Sequence, residues 1–318
     1  DDIVELMREL TQRFPDDSSR GGVHALAVRA TAEYVAGRPR AALELVEPLA
    51  HRADDLPAVM VHRVLGQARS AVGDRAGALD AFGAGARIAD TLDMRAMAHE
   101  LTVAAAVVTA DTGDVVRALA AVAGVVAEAD AENSPLSRSW ARTVHAWLLT
   151  RVDPRAALVA ADAALTEARE VSYPIAIAVN QRTQAFARIG LGDLAGAAVT
   201  LDGLLDDLVE RGALANARVL VDAVAALART ADHPAADTLV ATARSLPITT
   251  LPSSQFELIP LGDTNAAALP RREVFAAARR VLDELSSTTF ADRPERRQGA
   301  VRVHGDLCEF EFAGRGVT

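Results

Sequence analysis

The sequence predicts an all-α protein in which about six antiparallel helical hairpins stack side by side as an α-solenoid, followed by a small C-terminal β-hairpin. Three observations lead to this fold class. A short pattern, Gly-Asp-x-x-x-Ala, recurs along the chain. Its copies are almost evenly spaced, with successive alanines 36, 40, 39, 40 and 39 residues apart. The apolar residues on either side of each copy follow the spacing of amphipathic helices.

The recurring pattern is typical of the turn inside a helical hairpin. Gly ends a helix because it can adopt the left-handed conformation just after the last helical residue. The following Asp can accept hydrogen bonds from the free N–H groups that begin the next helix. A small Ala four residues later lets the two helices approach closely. The six turns are predicted near Gly37, Gly73, Gly113, Val152, Gly192 and Ala231.

One such hairpin cannot bury its own apolar face, so neighbouring hairpins must stack. We expect this array to span residues 23–244. The preceding residues, 1–22, are expected to form an amphipathic helix over 3–14 and a loop. Four prolines make 245–270 a predicted linker, and a charged helix is predicted over 271–287.

In residues 288–318 the spacing of apolar residues changes from the helical period to a period of two. Apolar and polar residues alternate on both sides of Gly305 and Asp306, which predicts a β-hairpin with a two-residue turn. Since an isolated hairpin is only marginally stable in water, we expect it to begin a larger C-terminal module. The chain is therefore expected to be a piece of a longer polypeptide.

Several of these residues resemble the signature positions of a tetratricopeptide repeat (TPR). They are Leu65, Gly66, Gly73, Asp74, Ala78 and Phe82. A period near 40, against 34 in the standard repeat, is similar to the longer arrays of large bacterial, actinobacterial-type, ATP-dependent transcriptional regulators, including LuxR-type ones. The resemblance covers roughly residues 20 to 245, and the stretch from Gly305 to Gly314 resembles the start of a C-terminal module in those regulators.

Composition excludes several functions. With 33 Arg, no Lys and 43 acidic residues, the net charge is −10, which argues against direct nucleic-acid contact and against an anionic membrane surface. The lack of lysine excludes the P-loop, protein-kinase and Schiff-base chemistries that require it. No apolar run is long enough to cross a bilayer, so a cytoplasmic location is expected.

Metal and catalytic motifs are not formed. His99 and Glu100 begin like a zinc-protease motif, but Val103 stands where the second His is needed. The single cysteine, Cys308, cannot form an internal disulfide or a cysteine metal cluster. We therefore expect no metal, no cofactor and no enzyme activity.

The candidate site is a stripe on the first helices of the hairpins, which line the concave groove of TPR-like arrays. Aligning the copies on their turns places Arg at the same inner position three times. The predicted binding residues are Arg63, Gln67, Arg142, Arg182, Phe186 and Arg218. Because Arg carries a planar fork of donors, the stripe could bind an acidic peptide or a small anionic ligand. The alternative interpretation is that these arginines are solvated or paired with acidic side chains.

The sequence thus favours a non-catalytic module of a larger transcriptional regulator, one that binds a protein, peptide or ligand and contacts other domains of the same polypeptide. The alternatives are a free-standing TPR adaptor and, more remotely, an enzyme with a site in the groove.

Overall fold

A computed structural model describes residues 19–35, 38–51, 55–210, 217–245 and 268–287. The described residues form thirteen α-helices and one 3₁₀-helix, and no strand is found among them. In chain order they are α1 (Arg20–Val35), α2 (Pro39–Val46), the 3₁₀-helix Glu47–Leu49, α3 (Leu56–Ala71), α4 (Arg75–Thr91), α5 (Arg95–Asp111), α6 (Val115–Ala131), α7 (Pro135–Leu149), α8 (Pro154–Glu170), α9 (Pro174–Leu191), α10 (Leu194–Glu210), α11 (Ala217–Thr230), α12 (Ala236–Ser245) and α13 (Ala268–Ser287).

This architecture confirms the predicted all-α array. The helix predicted over 3–14, most of the predicted linker and the β-hairpin predicted within 288–318 lie outside the described residues. None of the described helices is both long and apolar enough to cross a lipid bilayer.

The hairpin turns predicted at Gly73, Gly113 and Gly192 are present, whereas Gly37, where the first turn was predicted, lies outside the described residues. Gly73, Gly113 and Gly192 have φ of +88°, +102° and +81°. These values exclude most other residues without strain. In the same turns, and in the one before α8, the predicted Asp accepts a backbone N–H from the first turn of the following helix. These residues are Asp74, Asp114, Asp153 and Asp193.

A second set of turns was not anticipated. Asp93, Asn133 and Ser172 also adopt left-handed conformations, with φ of 56°, 53° and 53°. They connect each hairpin to the next, and they lie about midway between the predicted turns. Asn and Asp are enriched among non-Gly residues in this region because their short side chains tolerate it. The repeating unit is therefore a single helix and turn of about twenty residues, used twice per hairpin.

At the sixth turn, the predicted role of Asp232 is wrong. Asp232, expected to cap the next helix, instead takes the left-handed position with φ of 56°. His233 follows, and its Nδ1 accepts the backbone N–H of Ala235 at 3.1 Å. Helix α12 then begins at Ala236. The turn is thus displaced by one residue, because a His side chain replaces the carboxylate that caps the other helices.

The alanines of the pattern pack as expected. Five of the six are completely buried and the sixth is 8% exposed: Ala42, Ala78, Ala118, Ala157, Ala197 and Ala236. A side chain of this size lets neighbouring helices approach closely, so their recurrence follows from the packing.

The chain divides into two compact units. The first comprises residues 1–141 and 248–254, and the second comprises 142–247 and 255–318. The core of the first unit is built around Tyr34, Leu65, Phe82 and Leu101. The core of the second includes Leu201, Leu205, Leu220, Leu227 and Leu282.

Helix α13 packs on α10 and α11 in the second unit. Phe275, Val281 and Leu285 bury their side chains in this contact. At its edge, Arg279 forms ion pairs with Asp202 and Asp206 on α10. The helix begins at Ala268 rather than at 271, because a proline at its third residue is tolerated in the first turn, where backbone N–H groups have no intrahelical partner.

Candidate functional site

In the first unit, the predicted stripe lies on α3. The Nε of Arg63 is 2.8 Å from the Oε1 of Glu100 on α5, so an ion pair joins the first helices of successive hairpins. The Arg63 side chain is 15% exposed. One turn further along α3, Gln67 is 4% exposed. Its buried Oε1 has no hydrogen-bond partner among the described residues.

In the second unit, the predicted residues differ in how exposed their side chains are. Arg142 on α7 donates from Nη1 to the Oε2 of Glu167 on α8 at 3.0 Å, and its side chain is 44% exposed. Arg182 on α9 is 5% exposed, so it is a buried cation. Phe186 is partly buried against the core of this unit. Arg218 belongs to α11, but its side chain lies outside the described part of the structure.

The arginine stripe is therefore not an open row of cations. Arg63 and Arg142 pair with carboxylates, as the alternative interpretation expects. Other residues aligned with them, such as Val103 and Val221, are buried. A ligand-binding role for the six predicted residues stays a prediction, with Arg142 the most accessible of those whose side chains are described.

A polar contact that was not predicted recurs inside three of the hairpins. In three successive hairpins, an acidic residue on the second helix faces a polar residue on the first. The pairs are His99 Nε2 with Glu128 (3.4 Å), Arg142 with Glu167 (3.0 Å) and Gln181 Nε2 with Asp207 (3.1 Å). Each acidic residue stands fourteen positions after the Asp that caps its helix (128 − 114, 167 − 153, 207 − 193). This fixed spacing is the signal that could have revealed the pairs.

A buried hydrogen bond links α7 to α9 in the second unit. Asn180 is completely buried, and its Nδ2 donates to Thr143 Oγ1 at 2.9 Å and to the Ala176 carbonyl at 2.8 Å. Because an unpaired amide is costly in an apolar interior, this contact favours one register of the two helices.

His62 adds a titratable group to α3. Burial is the main cause that lowers its pKa, and the nearby positive charges of Arg69 and Arg87 lower it further. A hydrogen bond with the backbone of Ala50 opposes the shift without reversing it. The neutral imidazole is therefore the form that the folded protein favours.

Acid should consequently destabilise the first unit through His62. The unfolded chain has the ordinary pKa of 6.5 and binds the proton more readily than the folded chain. The free energy of unfolding should thus fall as the pH drops below that value. We expect His62→Gln to reduce this fall in urea titrations between about pH 7 and about pH 5. His24→Gln, at an exposed site on α1, should leave it unchanged, and equal slopes in both variants would contradict the assignment.

The described residues contain no group of three or more His, Cys, Asp or Glu side chains that could hold a metal ion.

Comparisons with known proteins identify the fold but no family. No protein-family model matches the sequence, and no curated protein matches it. Eleven chains of known structure match. One is in the crystal structure of a Rap protein complexed with competence and sporulation factor. That chain is 14% identical, the match covers 88% of this chain and 82% of that chain, and the TM-score is 0.54. The likeness establishes a TPR-like helical-repeat fold for this protein.

Proposed function

We propose, from the fold that this chain shares with a Rap protein, that it is a non-catalytic helical-repeat module that binds a protein or peptide partner on the face of its first helices. The observation that carries the proposal is the fold likeness to a protein that was crystallised with a bound factor. Repeat arrays of this kind serve as extended binding surfaces, because each hairpin adds side chains to the same face.

Arg142, on the first helix α7, suits this role. Arg142 is nearly half exposed although it donates to Glu167. A guanidinium has five N–H donors in a planar fork, so its exposed part can meet a carboxylate or carbonyl of a partner while Glu167 fixes its position. The preference for an acidic or carbonyl-rich partner follows from that donor chemistry.

We further propose that the module belongs to a larger transcriptional regulator, on the basis of its long repeat and the resemblance of its turns. In that setting, a partner bound to the array would bias other domains of the same polypeptide. DNA binding and nucleotide hydrolysis would then be properties of those other domains.

A displayed library of random peptides tests the binding role. The immobilised protein should retain a subset of peptides rich in acidic residues, and Arg142→Glu and Arg63→Glu should each reduce that retention about tenfold. Arg117→Glu is the matched control, because Arg117 is exposed on α6, a second helix. Retention that is equal for all three variants would exclude the first-helix face, and no retained peptide at all would contradict the binding role.

A further inference from the structure

The turn between α11 and α12 is capped by a titratable side chain. His233 in this turn and Asp153 in the turn before α8 are each followed by a proline. In the α8 turn, the Oδ1 of Asp153 accepts the backbone N–H of Arg155 at 3.0 Å. In the α12 turn, the Nδ1 of His233 accepts the backbone N–H of Ala235 at 3.1 Å. An imidazole therefore takes the place that a carboxylate has in the other turn.

The two ring nitrogens of His233 meet groups of opposite kind. The backbone N–H of Ala235 can only donate, so Nδ1 carries no proton in this contact. On the other side of the ring, Nε2 lies 2.9 Å from the Oε2 of Glu284 on α13. A carboxylate can only accept, so the ring proton is on Nε2. The His233 side chain is 12% exposed and links the first turn of α12 to α13 as a neutral imidazole in one tautomer.

Protonation of this ring would break one of the two contacts and keep the other. An imidazolium carries N–H groups on both nitrogens, so Nδ1 would direct a donor at the donor of Ala235, and that hydrogen bond is lost. The contact between Nε2 and Glu284 becomes a hydrogen bond between two charged groups, which is the stronger kind. Imidazole is the side-chain group that ordinarily changes its charge between about pH 5 and about pH 8.

Glu284 is the acidic side chain in contact with the ring. The other charged side chains on the elements around this turn are exposed, and they are Arg229 on α11, Asp232 in the turn, Asp237 on α12, and Arg280 and Asp283 on α13. Arg229 and Asp237 are 3.5 Å apart and form an ion pair with each other. Because solvent screens exposed charges, Glu284 provides the main electrostatic interaction of a protonated His233.

We propose that His233 is a pH-sensitive switch in the second unit, whose protonation opens the first turn of α12 and strengthens the contact with α13. The opening is local, because α12 stays packed on α11 through Leu239, which is 2% exposed. Turns capped by aspartate keep their caps in the same pH range, since that carboxyl group ordinarily titrates near about pH 4. The switch operates in the chain itself and does not depend on the proposed binding role.

Solution NMR of the full chain tests the switch. The ring signals of His233 report its protonation, and the protection of the Ala235 amide against exchange with water reports the cap. From about pH 8 to about pH 5 this protection, corrected for the intrinsic effect of pH on exchange, should fall about fivefold, the equivalent of one hydrogen bond. The Arg155 amide, held by Asp153, is the internal control and should keep its protection. Constant protection of Ala235 while the ring takes up its proton would overturn the proposal.

His233→Asn separates the switch from other effects of acid. The carboxamide oxygen of Asn can accept the Ala235 N–H, as the Asp153 carboxylate accepts that of Arg155, but it does not titrate. At about pH 8 the variant should protect the Ala235 amide as the unmodified protein does, and at about pH 5 it should retain that protection. A fall of the same size in the variant would show that another group opens the turn, and the role of His233 would be wrong.

Leu282 on α13 distinguishes a local opening from loss of the whole end of the unit. It is 1% exposed in the core that α13 shares with α10 and α11. Because the contact between His233 and Glu284 becomes stronger on protonation, the Leu282 amide should be protected equally or better in acid. If its protection fell together with that of Ala235, α13 would be leaving the unit and the proposed switch would be refuted.

Discussion

Ala118→Arg is expected to unfold the middle of the first unit. Ala118 is completely buried on α6, which packs on α5. An Arg there would overfill the helix contact and bury an unpaired cation, at a cost of about 4 kcal/mol or more. Because each hairpin is stabilised mainly by its neighbours, the loss should spread beyond α6 to the adjoining hairpins. Circular dichroism during urea titration would measure it as a lower midpoint and a reduced helical signal.

Ala120→Arg is the matched control for this substitution. Ala120 is two residues further along the same helix and is exposed. The same new side chain there should change the free energy of unfolding by no more than about 0.5 kcal/mol, as is usual at surface sites. If the two variants unfolded at the same urea concentration, the assignment of Ala118 to a close helix contact would be wrong.

The second large effect is expected at Gly66. A Cβ added to this residue would lie 2.6 Å from two ring carbons of Phe82, which is completely buried on α4. Since the ring cannot move without displacing the surrounding core, Gly66→Ala should destabilise the first unit by about 2 kcal/mol, although Ala is the better helix former. Thermal unfolding would report a lower midpoint.

Gly83→Ala makes the same chemical change at a helical site with more space. The nearest side-chain atom to a Cβ there is Arg87 Nη1, at 3.5 Å. The substitution should therefore stabilise α4 by up to about 1 kcal/mol through helix propensity alone. The two substitutions should shift the midpoint in opposite directions, and a shift of the same sign would show that Phe82 does not limit the space at Gly66.

Much of the fold could be predicted from single residues because the turns use specific chemistry. Gly at a left-handed position followed by a capping Asp leaves a readable pattern, as at Gly113 and Asp114. The turns between hairpins use Asp93, Asn133 and Ser172 instead, residues that are also common in helices and loops. Their positions emerge only when the backbone is known, and the same holds for the exchange of roles between Asp232 and His233.

Less of the candidate site could be predicted from the sequence. Aligning the hairpins found Arg63 and Arg142 on the first helices, but it could not show that each meets a carboxylate. Those partners, Glu100 and Glu167, lie 37 and 25 positions along the chain and on other helices. Residues of the same type at equivalent repeat positions also differ in burial. Arg182 is buried whereas Arg142 is exposed, because packing between helices, rather than helix periodicity, decides how much of each side chain reaches solvent.

The regular alternation of helix and left-handed turn has a consequence for how such a chain can change in length. Gly73 and Gly113 occupy equivalent backbone conformations, and each is followed by a capping Asp. The segment 74–113 therefore begins and ends at the same kind of turn. This forty-residue segment holds the second helix of one hairpin and the first helix of the next. Its duplication or loss would leave a Gly-Asp turn at the junction, so a change in length by one whole repeat preserves the turns of the array.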